Sequence, residues 1–455
     1  MQDKKQISGF SKLSKRGKIK WLVETFFTDP EAVARELKNY WLPNTKDQDI
    51  IDGFSENTIS NFMLPFGVAP NFVINGETYV VPMVIEESSV VAAASAGAKF
   101  WMNRGGFKTK IIDTQKIGQI HFQWKGEREK LYKLEKAIGA AIIDSVKDIT
   151  DNMEARGGGI LDIRLKDAYD GESLYYKLMM TFETCDSMGA NFINSVLEEG
   201  ARTLQAFIAE CDILSENERD IEIIMSILSN YTPDCVVRAE VTCPIEALGE
   251  FPDGSTAATF ASKFYKAIRI AHIDPYRATT QNKGIFNGID AVILATGNDF
   301  RAVEACGHTY AAKDGQYRSL SDCSIEDGIF RFWMDIPLAI GTVGGLTNIH
   351  PIARTSLEML GNPDAKTLMR IVAATGLAQN FAAIKSLVTT GIQQGHMKLH
   401  LQNILVHMKS DEKEVSLAKD FFEDKIVSFI AVRSFLDNIR NDSSLQPVFG
   451  LKPQG

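Results

Sequence analysis

The sequence predicts an α+β protein: a large domain of mixed helices and strands, an inserted ferredoxin-like unit, and a helical C-terminal segment. Three observations predict it. Between about residues 112 and 226 the pattern runs strand, long charged helix, strand, strand, helix, with a last strand-like run, IEIIMSIL. That β-α-β-β-α order is a split βαβ unit, not a doubly wound sheet. After Asn230 the chain resumes the strands and long apolar helices that precede the unit, which marks an insertion. From about Gly391 the pattern is helical and polar to the end.

The elements follow in order. Residues 1 to about 50 read as polar helices with an amphipathic stretch near Ile19 to Phe27. Asn75-Gly76 between β-rich runs, FVI-NG-ETYVVPMVI, predicts a hairpin. Glu86-Glu87-Ser88-Ser89 then opens a buried helix, VVAAASAGAKFW, whose small residues permit close packing against another backbone. The inserted unit follows as IGQIHFQW, a helix from Glu127 to Met153, the Gly157-Gly158-Gly159 turn, ILDIRL, LYYKLMMTFET and a helix from Gly189 to Ala209.

Composition sets limits. The chain has 455 residues, 45% hydrophobic and 24% charged, enough for two or three globular domains. A net charge of -9 disfavours a general nucleic-acid or anionic-membrane role. No run approaches the ~18 apolar residues of a spanning helix, and MQDKKQISGF has no apolar core of a signal peptide. Cys185, Cys211, Cys235, Cys243, Cys306 and Cys323 form no C-x-x-C pair. They read as reduced thiols of a cytoplasmic protein.

The densest polar segment is Asp274 to Glu304, where Arg277, Lys283, Asn287, Asp299 and Arg301 lie along a core of Ile, Val, Leu and Ala. Buried-type sequence seldom carries Lys and Asp unless they are paired or employed. A lysine beside a carboxylate polarises a carbonyl and donates a proton to it. The plain alternative is a helix from Ile285, with a solvated Lys before it, Gly297 as its stop and a solvated Asp beyond. Glu86 and Glu87 read either as helix-dipole partners or as a partly buried proton donor. His396, in GIQQGHMKLHL, reads as a surface histidine or as one carried on a lid. With His400 it makes only a weak metal pair, so no metal is assigned. Asp186-Ser187-Met188-Gly189-Ala190-Asn191 ends a strand and opens a helix whose free N–H groups suit a pyrophosphate, or is an ordinary capped start. Gly341 to Gly345 is either a ligand-contacting turn or simply a tight one.

Together VPMVIEESSVVAAAS, DSMGAN, DPYRATTQNKGIFNGIDAVILATGNDFRAVEA, GLAQNFAA and GIQQGHM resemble class II 3-hydroxy-3-methylglutaryl-CoA (HMG-CoA) reductases, in that family's order. The resemblance covers nearly the whole chain. It implies a large CoA- and HMG-binding domain in two parts, 1–111 and 227–388, a small NAD(P)-binding domain at 112–226, and a flap at 389–455. It implies that Glu87 shuttles a proton to the substrate oxygen and that Lys283 holds the thioester and then the aldehyde carbonyl. Asp299 would stabilise the lysine and tune Glu87, and His396 would protonate the CoA thiolate. Arg277 and Asn287 match positions that bind HMG, and Asn230 one near the reacting carbonyl. Gln379 and Asn380 fall in the segment beside CoA, and Asp186, Met188, Gly189 and Asn191 in the dinucleotide box. The implied reaction reduces HMG-CoA to mevalonate and CoA. Mevalonate oxidation on the same fold, and a non-catalytic CoA-binding homologue, are the alternatives.

Departures from the family pattern bear on packing and on cofactor. Ser60 replaces the glycine of the dimer-forming element Glu56-Asn57-Thr58-Ile59-Ser60, Lys12 stands in for an arginine near Phe10, and Gln281 stands where histidine is frequent. Counting back from Gly157 places Thr150, with Asp148 and Asp151 close by, where NAD-using members of the family carry the aspartate that binds the ribose. That points to NADPH over NADH, with Lys147 or Arg156 as partners for a 2′-phosphate. A helix over 285–296 spans roughly 18 Å at about 1.5 Å per residue, so Lys283 and Asp299 of one chain cannot touch across it. Either the helix breaks at Asn287-Gly288, or Lys283 meets Asp299 of a second chain. The expectation is a homodimer with sites at its interface, or a trimer of such dimers.

Overall fold

The structure, a computed structural model, describes residues 5–167, 175–391, 401–422, 425 and 427–441. The chain opens with helices α1 (Lys15–Phe26), α2 (Pro30–Asn39) and α3 (Thr45–Asp52). α1 buries Ile19 and Val23, the apolar stripe its pattern predicted. Strands β1 (Phe66–Ile74) and β2 (Glu77–Val84) form the expected hairpin. Its turn needs two left-handed residues, which Asn75 (φ 50°) and Gly76 (φ 94°) supply. Helix α4 (Val90–Met102) packs on this hairpin, followed by β3 (Lys108–Ile111).

The next unit is β4 (Lys116–Trp124), α5 (Arg128–Ser145), α6 (Lys147–Glu154), β5 (Gly159–Lys166), β6 (Tyr175–Glu183), α7 (Ala190–Glu210) and β7 (Ile221–Ser229). Its antiparallel sheet has the order β5-β6-β4-β7, the split βαβ arrangement. The expected boundary at 226 falls inside β7. The single helix expected from Glu127 to Met153 is two helices, parted at Val146. Val146 is fully buried, and the break turns Thr150 and Met153 inward with it. This unit has its own core, including Phe122, Trp124, Ile138, Phe182 and Leu197.

The remaining elements are β8 (Val236–Pro244), α8 (Ala257–Ile273), α9 (Pro275–Ala295), α10 (Phe300–Ala311), β9 (Ser321–Glu326), β10 (Ile329–Pro337), α11 (Leu346–Ile349), α12 (Pro351–Met359) and α13 (Ala365–Val388). They form a sheet of order β3-β8-β10-β9 with helices packed on it. α13 is, among the described residues, the one helix long and apolar enough to cross a membrane, yet it runs through the core and packs against α4 and α9. Those contacts are close because glycines make them. A Cβ on Gly97 of α4 would sit 2.5 Å from the Ala378 carbonyl oxygen of α13, and one on Gly288 of α9 would sit 3.0 Å from that of Thr375. Residues 401–407, Glu412–Phe421 and Phe429–Asn441 are helical around a separate small core that includes Leu405, Phe422 and Leu436.

Candidate active site

The site is built on α9. This helix does not begin at Ile285. It begins at Pro275, where the Asp274 carboxylate accepts the Tyr276 N–H at 3.0 Å and proline occupies the first turn. It runs without a break through Asn287-Gly288 to Ala295. Gly297 (φ 71°) then closes it, with Asn298 N–H donating to Ile293 and Gly297 N–H to Leu294. Lys283 is therefore a mid-helix residue, with Asn287 one turn along on the same face.

That face meets Glu87. The Lys283 ammonium lies 2.5 Å from Glu87 Oε2, and Asn287 Nδ2 donates to the same oxygen at 3.4 Å. Glu87 belongs to the turn between β2 and α4, so the hairpin that packs on α9 carries it there. Neither Glu86 nor Glu87 enters the first turn of α4. The cap is Ser89 in a left-handed conformation (φ 75°), which L residues avoid outside constrained sites. The ion pair is open to solvent, with side-chain exposures of 61% and 42%, as a pair must be if substrate is to displace it.

Asp299 lies elsewhere. It caps α10, accepting the Arg301 N–H at 3.0 Å, the Ala302 N–H at 3.3 Å and Arg301 Nε at 3.2 Å. Burial pushes its carboxyl up, but the Arg301 guanidinium and the α10 amides outweigh it and hold it below the usual carboxylate range. Twelve residues of unbroken helix separate Lys283 from Ala295, about 18 Å at 1.5 Å per residue. The first of the two sequence alternatives, a broken helix, is thus excluded. Arg277 is half-buried two turns before Lys283, and burial pushes its guanidinium down from its ordinary value, with Asp274 opposing.

Residues Asp186 to Asn191, the expected dinucleotide box, join β6 to α7. Gly189 (φ 93°) caps α7, no side chain bonds the first amides, and no acidic residue occupies the first turn. A Cβ at Gly189 would lie 2.5 Å from Thr184 Cγ2, so only glycine fits. Asn191 is exposed beside it. Asp186 faces inward: one carboxylate oxygen accepts the Ala365 N–H at 2.9 Å, and its carbonyl accepts the Thr342 N–H at 2.8 Å. The Gly341 to Gly345 turn is held by this loop, since a Cβ on Gly341 would come within 2.5 Å of Met188 N. Asn298, which sequence reading missed, accepts the Gly341 N–H at 2.8 Å and ties the end of α9 to the box. Its only local signal was its place beside Asp299. Met188 and Asn230 line one cavity between the start of α7 and α10.

Three expected contact residues are buried instead. Thr150 is 2% exposed and its hydroxyl donates to the Lys147 carbonyl, so it presents no face to a nucleotide, whereas Lys147 and Arg156 are exposed. Asn380 is 1% exposed and accepts a bond from the Ser321 hydroxyl, within a network that includes Ser319 and Gln281. Gln379 packs on Gly288, with its Oε1 buried and unpartnered. His396 and His400 lie outside the described residues.

Comparison with known proteins settles the family. The profile for hydroxymethylglutaryl-coenzyme A reductase matches residues 22–401. A 3-hydroxy-3-methylglutaryl-coenzyme A reductase of Archaeoglobus fulgidus is 36% identical over 90% of this chain and 89% of its own. The chain belongs to the hydroxymethylglutaryl-coenzyme A reductase family. A probable reductase of Borreliella burgdorferi is 32% identical over 92% of both chains. The class II HMG-CoA reductase of Streptococcus pneumoniae bound to NADPH, in open conformations, superposes with a TM-score of 0.69 at 35% identity, covering 84% of this chain and 100% of that one.

Two features read against the reductase family acquire physical accounts. Ser60, the departure from the family pattern at residues 56–60, donates its hydroxyl to the Leu37 carbonyl at 2.6 Å, a tie that glycine lacks. Gln281, in place of histidine, is 2% exposed and donates to Ser319 and Ser321, so it anchors the back of α9 rather than facing the cleft. All six cysteines are free thiols.

Proposed function

We propose that this chain reduces HMG-CoA with two equivalents of NADPH to mevalonate and CoA, and that Glu87, Lys283, Asp299 and His396 carry the chemistry. The observation that carries the proposal is the Glu87–Lys283 contact at 2.5 Å, made across 196 residues of sequence, with Asn287 on the same carboxylate. A cation and a proton-bearing carboxyl beside one carbonyl oxygen are what a thioester reduction requires. The Lys283 ammonium stabilises the oxyanion that develops in each of the two reductions. Glu87 delivers the proton that neutralises it. Arg277 and Asn287 hold the HMG end. His396 protonates the departing thiolate, which keeps CoA from adding back.

The residues of the box suit the cofactor. The uncapped α7 N-terminus beside Gly189 suits a diphosphate. Exposed Lys147 and Arg156, with no carboxylate at Thr150, suit a 2′-phosphate. Bound there, NADPH supplies the hydride. NADH is the second choice, and mevalonate oxidation is the same chemistry reversed.

The functional unit we propose is a homodimer, in which Lys283 meets Asp299 of the partner subunit. The unbroken α9 supports this, as does the apolar surface around the dimer element: Phe62 is 93% exposed, Met63 54% and Val68 42%. A trimer of dimers remains an arrangement compatible with it. Free thiols suit a cytoplasmic location. The test is HMG-CoA-dependent NADPH oxidation by the wild type and by Lys283→Ala. Oxidation that is absent in the wild type overturns the function. Undiminished oxidation in the variant overturns only the lysine's role.

A further inference from the structure

We propose that Asn298 is a positioning residue for hydride transfer, whose side-chain amide holds the dinucleotide box in register with the carbonyl bound at Lys283. The inference rests on the proposed reaction, with Lys283 at the substrate carbonyl and Asp186 to Asn191 at the cofactor. In that reaction the carbonyl carbon gains the hydride of NADPH and its oxygen the proton of Glu87, leaving NADP⁺. The two groups of residues belong to different units of the fold. Lys283 stands on α9, and the residues of the box join β6 to α7 in the inserted unit. Reacting atoms must be held to within about 0.5 Å of their productive geometry. A joint between the two units is therefore part of the site.

Asn298 is that joint. Its N–H donates to the Ile293 carbonyl at 2.9 Å, inside the turn that closes α9, so its backbone is fixed to the helix that carries Lys283. Asp299 is the next residue and caps α10. Across from it lies Gly341. A Cβ there would come 2.5 Å from Met188 N and 2.8 Å from the Asp186 carbonyl oxygen, so this turn lies backbone against backbone on the box. The Asp186 carbonyl accepts the Thr342 N–H at 2.8 Å, and Ser187 pairs with Val343 as a parallel β-bridge. The turn and the box are thus one piece. Asn298 Oδ1 accepts the Gly341 N–H at 2.8 Å and joins that piece to α9.

The amide is held in one orientation. A backbone N–H only donates, so Oδ1 must face Gly341. Nδ2 then donates to Thr296 Oγ1 at 3.2 Å. The Thr296 hydroxyl is fully buried and gives its own proton to the Val292 carbonyl at 2.8 Å, one turn back on α9. This donor and acceptor pattern is that of an amide. A carboxylate would set a second oxygen against the threonine oxygen, and an aliphatic side chain would leave the Gly341 N–H bare.

Asn298→Ala and Thr296→Val, each made in the full chain, test the inference. Thr296→Val leaves Asn298 in place and removes only the group that orients it. Both variants are expected to lower kcat, Asn298→Ala by roughly tenfold to a hundredfold, while calorimetry finds the affinities for NADPH and HMG-CoA unchanged. NADPH deuterated at the transferred position should give a larger isotope effect on kcat in the variants than in the wild type, because misalignment slows the hydride step itself. In the ligand-free chain, hydrogen exchange at the Gly341 amide should quicken in Asn298→Ala, a readout independent of turnover. Unchanged kcat or unchanged exchange in Asn298→Ala overturns the inference. So does a lowered kcat with the wild-type isotope effect, which marks a loss of folded enzyme alone. If the wild type does not oxidise NADPH with HMG-CoA, the proposed reaction falls first and takes this inference with it.

Discussion

Lys283 and Glu87 meet at 2.5 Å although 196 residues separate them, and both side chains remain substantially exposed. An exposed ion pair adds ~0–1 kcal/mol to stability. Its contribution to folding is therefore small, which suits the catalytic use proposed for it. Lys283→Ala is expected to lower kcat at least about 10²–10³-fold, the usual cost of one oxyanion-stabilising group, while the melting temperature barely moves. Steady-state kinetics beside a thermal melt check both halves. A large loss of stability would recast the pair as structural.

Asp299 is taken up within its own chain by Arg301 and the α10 amides, a helix length away from Lys283. Lys283→Ala and Asp299→Asn should each be inactive alone. In the proposed homodimer, mixing the variants one to one makes half the dimers hybrids, and each hybrid holds one site with both residues intact if the pair forms across the interface. Activity should recover to about a quarter of wild type. Co-expression with two affinity tags measures it, and a hybrid with no activity would assign both residues to one subunit.

Glu87 sits in the turn between the hairpin, which packs on α9, and α4, which packs closely on α13. A Cβ on Gly97 would meet the Ala378 carbonyl oxygen at 2.5 Å, and backbone cannot swing aside as a side chain can. Gly97→Ala should cost about 1–3 kcal/mol of stability and reduce kcat by displacing the strand-to-helix turn that holds Glu87. Urea unfolding and kinetics on the same preparation report both. A variant as stable as wild type would show that α13 yields.

Much of this was legible in local pattern. Asn75-Gly76 demanded a left-handed turn, and the strand and helix order from Lys116 to Ser229 matched a split βαβ unit, the arrangement the sheet has. The start of α9 was not legible. Its first two turns, PYRATTQ, lack an apolar stripe, because the buried face is partly polar: Gln281 bonds Ser319 and Ser321, and Asn282 bonds the Arg318 carbonyl and the Leu320 N–H. Hydrophobic periodicity cannot register a core that is hydrogen-bonded. The start signal was Asp274-Pro275, a cap followed by a first-turn proline. The burial of Thr150 depended on the break at Val146, and the contacts of Asp186 and Asn298 on a loop more than forty residues away. Neither leaves a local trace.

Lys147 and Arg156 stand exposed at the two ends of the segment holding Thr150. A 2′-phosphate adds charge that only NADPH carries. Replacing both by alanine should raise KM for NADPH several-fold and leave KM for NADH unchanged, at constant kcat. Equal effects on the two cofactors would place the cations away from the 2′-phosphate.

Asp290 carries the clearest pH signature. It lies two turns beyond Lys283 on α9 and faces Glu304 of α10, and its Oδ1 is buried without a partner. Burial first, then the neighbouring Glu304 carboxylate, pushes it up from 3.8 to about 8. His308, also on α10, is pushed down by burial, with Glu304 opposing, so it is a weak source of compensating charge. The folded chain therefore keeps the Asp290 proton to higher pH than the unfolded chain does. For a raised carboxyl the stabilising contribution is complete below about 4 and is lost as pH rises through about 8. Urea stability should fall as pH rises across that window. Asp290→Asn keeps the shape and the neutral charge, so its profile should be flatter and it should be the more stable protein on the alkaline side. Parallel profiles for the two proteins would show that Asp290 is ionised in the folded state and that another group neutralises it.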